Sequence, residues 1–342
     1  LRHRTAGRRK ITNTAVELTG LGFGASVMGN LYRVTPAEDA AAAVEAAWEA
    51  DIRYFDTAPH YGLGLSELRL GTALRQRPRA EYVVSSKVGR LLVPNEHPRG
   101  VDSEGFVVRD DLRRQWDFSR DGVLRSIEAT LDRMGLDRLD VVYLHDPDDH
   151  WEQAANEAMP ALADLRDQGV VGAIGAGMNQ SAMPARFLRE TAADVVMLAG
   201  RYTLLDQSAL DDVLPAAEEL GKSVVAVGVF NSGLLSRDRP AEGMKYDYQD
   251  APPALVARAR AIADVCAAHG TSLPKAAIAF PHTHPTVINV TLGMRTPEQV
   301  RRNVELHRQH IPEGLWDDLR AQGLIRPDVP GEGAGARSPK CL

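Results

Sequence analysis

Four residues of this chain are of types that together do proton chemistry: Asp56, Tyr61, Lys87 and His145. The stretch YFDTAPHYG, residues 54–62, sets Asp56, His60 and Tyr61 within six residues at the end of an apolar run. A carboxylate leaving water costs free energy unless something pairs with it. Lys87, closing the apolar run VVSSKV, is a cation suited to that pairing, and lysine is scarce in this chain beside arginine. His145 closes VVYLH in the same way. Taken singly, each has an ordinary use. Asp-Thr-Ala-Pro makes a turn, a strand-end lysine can snorkel to solvent, and histidine and tyrosine pack in cores. Taken together they form a set. Asp56 can hold Lys87 as a semi-buried ion pair. The Lys87 ammonium beside Tyr61 would favour the phenolate and lower the Tyr61 pKa from about 10, making Tyr61 a usable general acid or base. His145 can donate a hydrogen bond to a substrate oxygen and orient it. None is a strong nucleophile and no metal cage accompanies them. The set suits proton transfer at an oxygen, coupled to a hydride transfer carried by a cofactor.

Such a set works only if the chain brings its members to one place. Short apolar runs alternate with helical ones through the sequence. Expected strands are 17–26 (with its loop), RYFDTA, EYVVSSKV, LDVVYLHD, VVGAIGAG, DVVMLAGRY, KSVVAVGVF and TVINVTLG. They are apolar almost throughout, as strands covered on both faces are. Helical runs lie between them. Thr35, Pro36 and Glu38 spell a capping box for one, and Thr296, Pro297 and Gln299 a start for the last. In the helix of residues 119–135, Val123, Leu124, Ile127, Leu131 and Met134 share a face. An eightfold strand–helix alternation at this length predicts an α/β fold, a closed (β/α)8 TIM barrel. A doubly wound sheet is disfavoured because GLGFGASVMG keeps Gly22 and Gly24 of a GxGxxG pattern but has Val27 at its third position. The expected organisation is one barrel over 1–330, with long loops at about 89–118 and 231–253, and a flexible tail at 331–342. Both loops follow strand C-terminal ends, where barrels carry their chemistry. Asp56, Tyr61, Lys87 and His145 then converge on one mouth from three consecutive strands.

Bulk properties narrow the alternatives. A hydrophobic content of 44% supports a sizeable core, and the formal charge of −6 argues against a nucleic-acid partner. The basic stretch RHRTAGRRK near the start reads as the lead into a hairpin rather than a binding arm. Cys266 and Cys341 do not suggest a disulfide framework. No run has transmembrane length and no signal segment is visible. A cytoplasmic enzyme on a small-molecule substrate, without nucleic acid or membrane, is the expectation. LHDPDDH and PHTHP look like metal-ligand clusters, but His282 and His284 precede the eighth strand, at the opposite barrel face from His145, so no metal site is expected.

The order and spacing of YFDTAPHYGLGLSELRLGTAL, VVSSKVG, LDVVYLHDPD, VVGAIGAGMNQ and VINVTLGMRTPEQVRRNVE resemble the aldo-keto reductase family over about residues 15–315. The resemblance implies that Asp56, Tyr61, Lys87 and His145 occupy that family's catalytic tetrad. It implies an extended nicotinamide dinucleotide. Asn179 would hold the carboxamide. Phe230, Asn231, Ser232, Gly233 and Leu234 would cover the pyrophosphate. Gly293, Arg295, Thr296, Gln299 and Asn303 would take the adenosine end. Barrel loops after strands seven and eight, beside a helix N-terminus, are a usual phosphate site.

This chain departs from the family pattern in three places. Ala199 stands where many members carry glutamine, three residues before Tyr202. Val227 stands where many stack a tyrosine on the nicotinamide. Gly293 and Gln299 stand near positions where NADP-dependent members place cations. Loss of those cations favours NAD, with Arg295 and Arg302 keeping NADP as the alternative. DVVMLAGRYTLLDQ and VVAVGVFNSGLL resemble the aldose-oxidising branch, which implies oxidation of L-fucose, D-arabinose or another D-threo-aldose at C1 to a lactone, with tyrosine as base. Oxidation of pyridoxal, NADPH-dependent carbonyl reduction and a redox-sensing regulatory subunit are the other readings. A hydroxyl-rich substrate needs hydrogen-bonding walls, and topology nominates His60, Trp116, Asp146, Arg201 and Tyr202.

Overall fold

The computed structural model describes residues 7–247 and 249–331. Eight parallel strands close into a barrel: Leu21–Gly24, Tyr54–Asp56, Val83–Val88, Val141–His145, Ala173–Met178, Val195–Ala199, Ser223–Val227 and Val287–Gly293. The eighth closes on the first, with Val290 opposite Leu21. Helices cover the outside, so each strand is buried on both faces, which explains the unbroken apolar runs. Two cores result. The larger lies between strands and helices. The smaller fills the barrel, where Tyr54, Tyr143, Val195, Met197 and Val225 meet.

The near-terminal hairpin, Arg9–Lys10 paired with Glu17–Leu18, is present as expected. Its Ile11, Val16 and Leu18 join the inner cluster and plug the barrel floor. Chemistry is therefore left to the other end. The tail expected at 331–342, with Cys341, lies beyond the described residues apart from Gly331.

Both long loops carry local order. Residues 89–118 hold the antiparallel pair Arg90–Pro94 and Leu112–Trp116, and residues 231–253 hold Lys245–Tyr246 against Gln249–Asp250. Two further helices, Leu273–Ala279 and Leu315–Ala321, exceed the simple alternation.

The helix Arg120–Met134 begins on Ser119, whose hydroxyl accepts from the Gly122 amide, and stops at Gly135 in a left-handed conformation. Val123, Ile127 and Met134 are buried on it, whereas Leu124 is 39% exposed, because it lies off the centre of the apolar stripe. The capping box expected at Thr35 does not form. The helix runs Ala37–Glu49 with no side-chain cap, and the Thr35 hydroxyl instead donates to the Val27 carbonyl at 2.9 Å. Thr296 does cap its helix, Pro297–Arg308, by accepting from the Gln299 amide. Among the described residues, no helix is long and apolar enough to cross a membrane.

Candidate active site

Strand register sets the site. Asp56 pairs with Ser85, Lys87 with Tyr143, and His145 with Gly177, so from strand to strand Asp56, Lys87 and His145 each stand two residues further on, at or next to a strand end, and all three line one cavity. The Lys87 ammonium donates to Asp56 Oδ2 at 2.7 Å and to the Thr57 carbonyl at 2.9 Å. Ser85 donates to Asp56 Oδ1 at 2.7 Å. Since a carboxylate only accepts, the chain of hydroxyls behind Ser85 is oriented. Tyr54 donates to Ser85 at 3.0 Å and Tyr143 to Tyr54 at 3.2 Å. This buried network holds Asp56 in place.

Tyr61 sits in the loop above, with Lys87 Nζ 4.8 Å from its ring centre. Glycines clamp that loop. Gly62 has φ +64°, and a Cβ there would stand 2.3 Å from the Gly29 carbonyl oxygen. His60 lies edge-on to His145 at 5.4 Å, and Tyr61 edge-on to His145 at 5.8 Å.

One electrostatic expectation is reversed. Burial raises the Tyr61 phenol above its usual value, and Lys87 only partly offsets this. Burial would depress Lys87, but Asp56 and Tyr61 outweigh it and the ammonium is held more firmly than usual. The resting pair is thus a neutral phenol beside a charged lysine. Burial also pushes His145 well below the usual histidine range, with Arg90 and Lys87 adding to the effect. His60 is pushed down to about 2, by burial and then by Arg90. Both imidazoles are neutral, so His145 keeps one N–H to donate.

All four residues line one cavity of about 430 Å³. His60 and Asp146 line it too, as do Asn179 and Gly293. Asp146 accepts from Arg90 at 2.6 Å and from the Asn179 amide at 3.3 Å. Trp116 stands on the lid hairpin, 44% exposed, with the Arg90 guanidinium 4.4 Å from its ring. Arg201 is tied down elsewhere, to the Asn179 carbonyl at 2.7 Å, Asp206 at 3.0 Å and Asp247 at 2.9 Å. Tyr202 does not belong to the mouth. It is buried against Phe280 and bonded to Thr283 at 2.8 Å. Gly200, at φ +71°, reverses the chain after the sixth strand, so the strand's in–out alternation does not extend to Tyr202.

Of the residues expected to hold a dinucleotide, Asn179 and Gly293 line this cavity, whereas Phe230, Asn231, Ser232, Gly233, Leu234, Arg295, Thr296, Gln299 and Asn303 do not. Asn231, Ser232 and Gly233 all have positive φ. Within this turn the Gly233 and Leu235 amides donate to Phe230, and the Leu234 amide to Asn231. Leu234 is wholly buried and offers a ligand neither side chain nor amide. Arg295 grips Leu31, Arg33 and Thr35. Gln299 accepts from the Arg295 amide at 2.7 Å, and Asn303 is nearly buried. Thr296 is occupied as the helix cap. Among the described residues, no three His, Cys, Asp or Glu side chains gather as a metal site.

Sequence reasoning missed Arg90, Glu104 and Phe106, which line the cavity from the lid. Arg90 had a signal: it follows Lys87 by three residues, across Gly89, a glycine at φ +106° that turns the chain inward. Phe106 had none, since it lies in an aperiodic loop.

Residues 20–321 match the Aldo/keto reductase family. The chain is 48% identical over 312 residues to a D-threo-aldose 1-dehydrogenase of Pseudomonas sp, covering 90% of this chain and 95% of that one. It is 37% identical over 336 residues to a pyridoxal 4-dehydrogenase of Microbacterium luteolum, covering 93% and 98%. Among solved structures, the glycerol dehydrogenase of Gluconobacter oxydans superposes with a TM-score of 0.75 at 21% identity, covering 98% of this chain and 99% of that one, a likeness of fold. The protein is accordingly an oxidoreductase, and the chain belongs to the aldo-keto reductase family.

Proposed function

We propose that the protein oxidises a D-threo-aldose, such as L-fucose or D-arabinose in its cyclic hemiacetal form, at C1 to the lactone, with NAD as hydride acceptor and Tyr61 as general base. The observation that carries this is the Tyr61 phenol packed on the Lys87–Asp56 pair, in the wall of the same cavity that holds neutral His145. The similarity to an aldose 1-dehydrogenase along nearly the whole chain supports the choice of substrate.

Oxidation removes the anomeric hydroxyl proton and the C1 hydrogen with its electron pair. Tyr61 accepts the proton once it is ionised, and Lys87 stabilises that phenolate. His145 donates a hydrogen bond to the same oxygen and fixes its direction. Members of this family use nicotinamide cofactors, and a bound nicotinamide supplies the acceptor for the hydride. The residues fit such a group. Ala199, Val227, Gly228 and Gly293 form a low wall of the cavity, and a Cβ on Gly293 would come no nearer than 3.7 Å to any neighbour. Asn179 would hold the carboxamide, and Phe230, Asn231, Ser232 and Gly233 would border the pyrophosphate. The Asn231 Oδ1 is buried without a hydrogen-bond partner, a polar atom available to a ligand on that side.

Pyridoxal, also a cyclic hemiacetal, is the second reading, favoured by the Microbacterium relative. The test is reduction of NAD⁺ or NADP⁺, followed by near-ultraviolet absorbance, with L-fucose, D-arabinose, L-galactose, L-xylose, D-glucose and pyridoxal. NAD⁺ reduction by the threo-configured sugars is expected. Turnover of pyridoxal alone moves the protein to the second reading. Silence throughout rejects both and points to carbonyl reduction with NADPH or to a redox-sensing role.

A further inference from the structure

The cavity carries a second ion pair that the proton chemistry does not use. Arg90, just past the third barrel strand, donates to Asp146 Oδ2 at 2.6 Å. Asp146 directly follows His145. Both line the cavity, and their side chains are 13% and 19% exposed. The pair is braced all round. The Trp116 ring lies 4.4 Å from the guanidinium, His60 Nδ1 lies 3.5 Å from Arg90 Nη1, and Asn179 donates to Asp146 Oδ1 at 3.3 Å. Asp146 also has φ +44°, a left-handed conformation costly for a residue with a Cβ. Its amide bond to the Gly177 carbonyl, 3.0 Å, holds it there. Strain of this kind gathers at functional positions. Arg90 Nε is buried with no hydrogen-bond partner, and Asp146 Oδ2 lies 3.6 Å from His145 Nε2, so the pair stands beside the reacting centre.

Charge then limits what can enter. The ionic residues lining the cavity are Lys87 and Arg90 against Asp56, Glu104 and Asp146. Each cation is matched by a carboxylate, and Glu104 is left over. A phosphate or carboxylate on the substrate would meet no free positive charge. Two adjacent hydroxyls suit the pair well, since one can donate to Asp146 while its neighbour accepts from Arg90.

We propose that Arg90 and Asp146 form a specificity-determining fork that reads adjacent hydroxyls of a neutral sugar ring and excludes sugars carrying a phosphate or carboxylate. This rests on the aldose reading above and adds the substrate's charge and hydroxyl pattern to it.

The test is steady-state kinetics of the full chain with NAD⁺ on its best neutral aldose, the monodeoxy analogues of that sugar and the matching uronate. In the unaltered protein, removal of one of the two read hydroxyls should lower kcat/KM about ten- to a hundredfold, and the uronate should be poorer by a similar factor. Asp146→Asn frees the Arg90 charge and should raise the uronate-to-aldose ratio at least about tenfold. Arg90→Gln should raise KM for the parent sugar and flatten the deoxy penalty. A merely structural pair would lower all these sugars alike. An unchanged uronate ratio in Asp146→Asn, or indifference of the unaltered protein to every deoxy substitution, overturns the fork. The deoxy series needs no variant, so it decides even where a substitution prevents folding. Aldose turnover without these preferences rejects the fork alone, whereas no turnover of any aldose rejects the parent reading and the fork with it.

Discussion

The Lys87 ammonium lies 2.7 Å from the Asp56 carboxylate, with the two side chains 2% and 5% exposed. A pair this buried gives little net stability, but removing one partner leaves an uncompensated charge. Lys87→Met should therefore destabilise the fold by about 3–5 kcal/mol and abolish turnover. The double variant Lys87→Met/Asp56→Asn should recover much of the stability and none of the activity. Urea unfolding beside the activity assay checks this. Equal stability of the single variant and the parent would contradict the burial argument.

Tyr61→Phe removes the oxygen proposed to take the proton and keeps the ring that packs against His145 and Phe106. We expect kcat to fall by about three orders of magnitude, with cofactor affinity, read by fluorescence titration, nearly unchanged. Parallel loss of both would falsify its role as general base.

Burial raises the Tyr61 phenol above its ordinary value, so the phenolate is the minor form at neutral pH. Oxidation should thus climb with pH and show no plateau below about pH 10. His145 is held neutral by burial, so it should add no acidic limb near pH 6.5, its ordinary value. A pH profile of kcat with the best aldose decides. A flat profile, or a plateau near pH 7, counts against this assignment.

Gly62 faces the Gly29 carbonyl too closely for any side chain. Gly62→Ala should shift the Tyr61 loop, lowering kcat as well as Tm. Gly169 has φ +75° but open space around it, so Gly169→Ala should lower Tm alone. Matching kcat losses in both variants would show that the clamp is not specific to the site.

Arg295 is engaged with the loop carbonyls of Leu31 and Arg33, and Arg302 faces Asp238 at 3.9 Å. Arg295 is thus not free for a 2′-phosphate, and the half-exposed Arg302 has an acidic neighbour that competes for it. The ratio of kcat/KM for NAD⁺ over NADP⁺ should be about ten or more, and Gln299→Arg should shift it toward NADP⁺. A parent enzyme that prefers NADP⁺ refutes this.

The barrel and the convergence of Asp56, Tyr61, Lys87 and His145 on one cavity were legible from residue types in order. Apolar runs buried on two faces, with polar residues at their ends, are local patterns, and a closed parallel barrel turns each strand end into a place at one mouth. Direction beyond a strand end is not local. Tyr202 follows a left-handed glycine and turns into the helix layer, whereas Arg90 follows another and turns into the cavity. The two cases are set by backbone dihedrals at single glycines and by what packs there. The sign of the Tyr61 shift belonged to tertiary structure as well. The sequence determined that a lysine would lie near the phenol, which favours ionisation. Only the packed site decided how much water was excluded, and here exclusion outweighs the ammonium. Charge pairing is carried by residue identity, but desolvation is a property of everything folded around it.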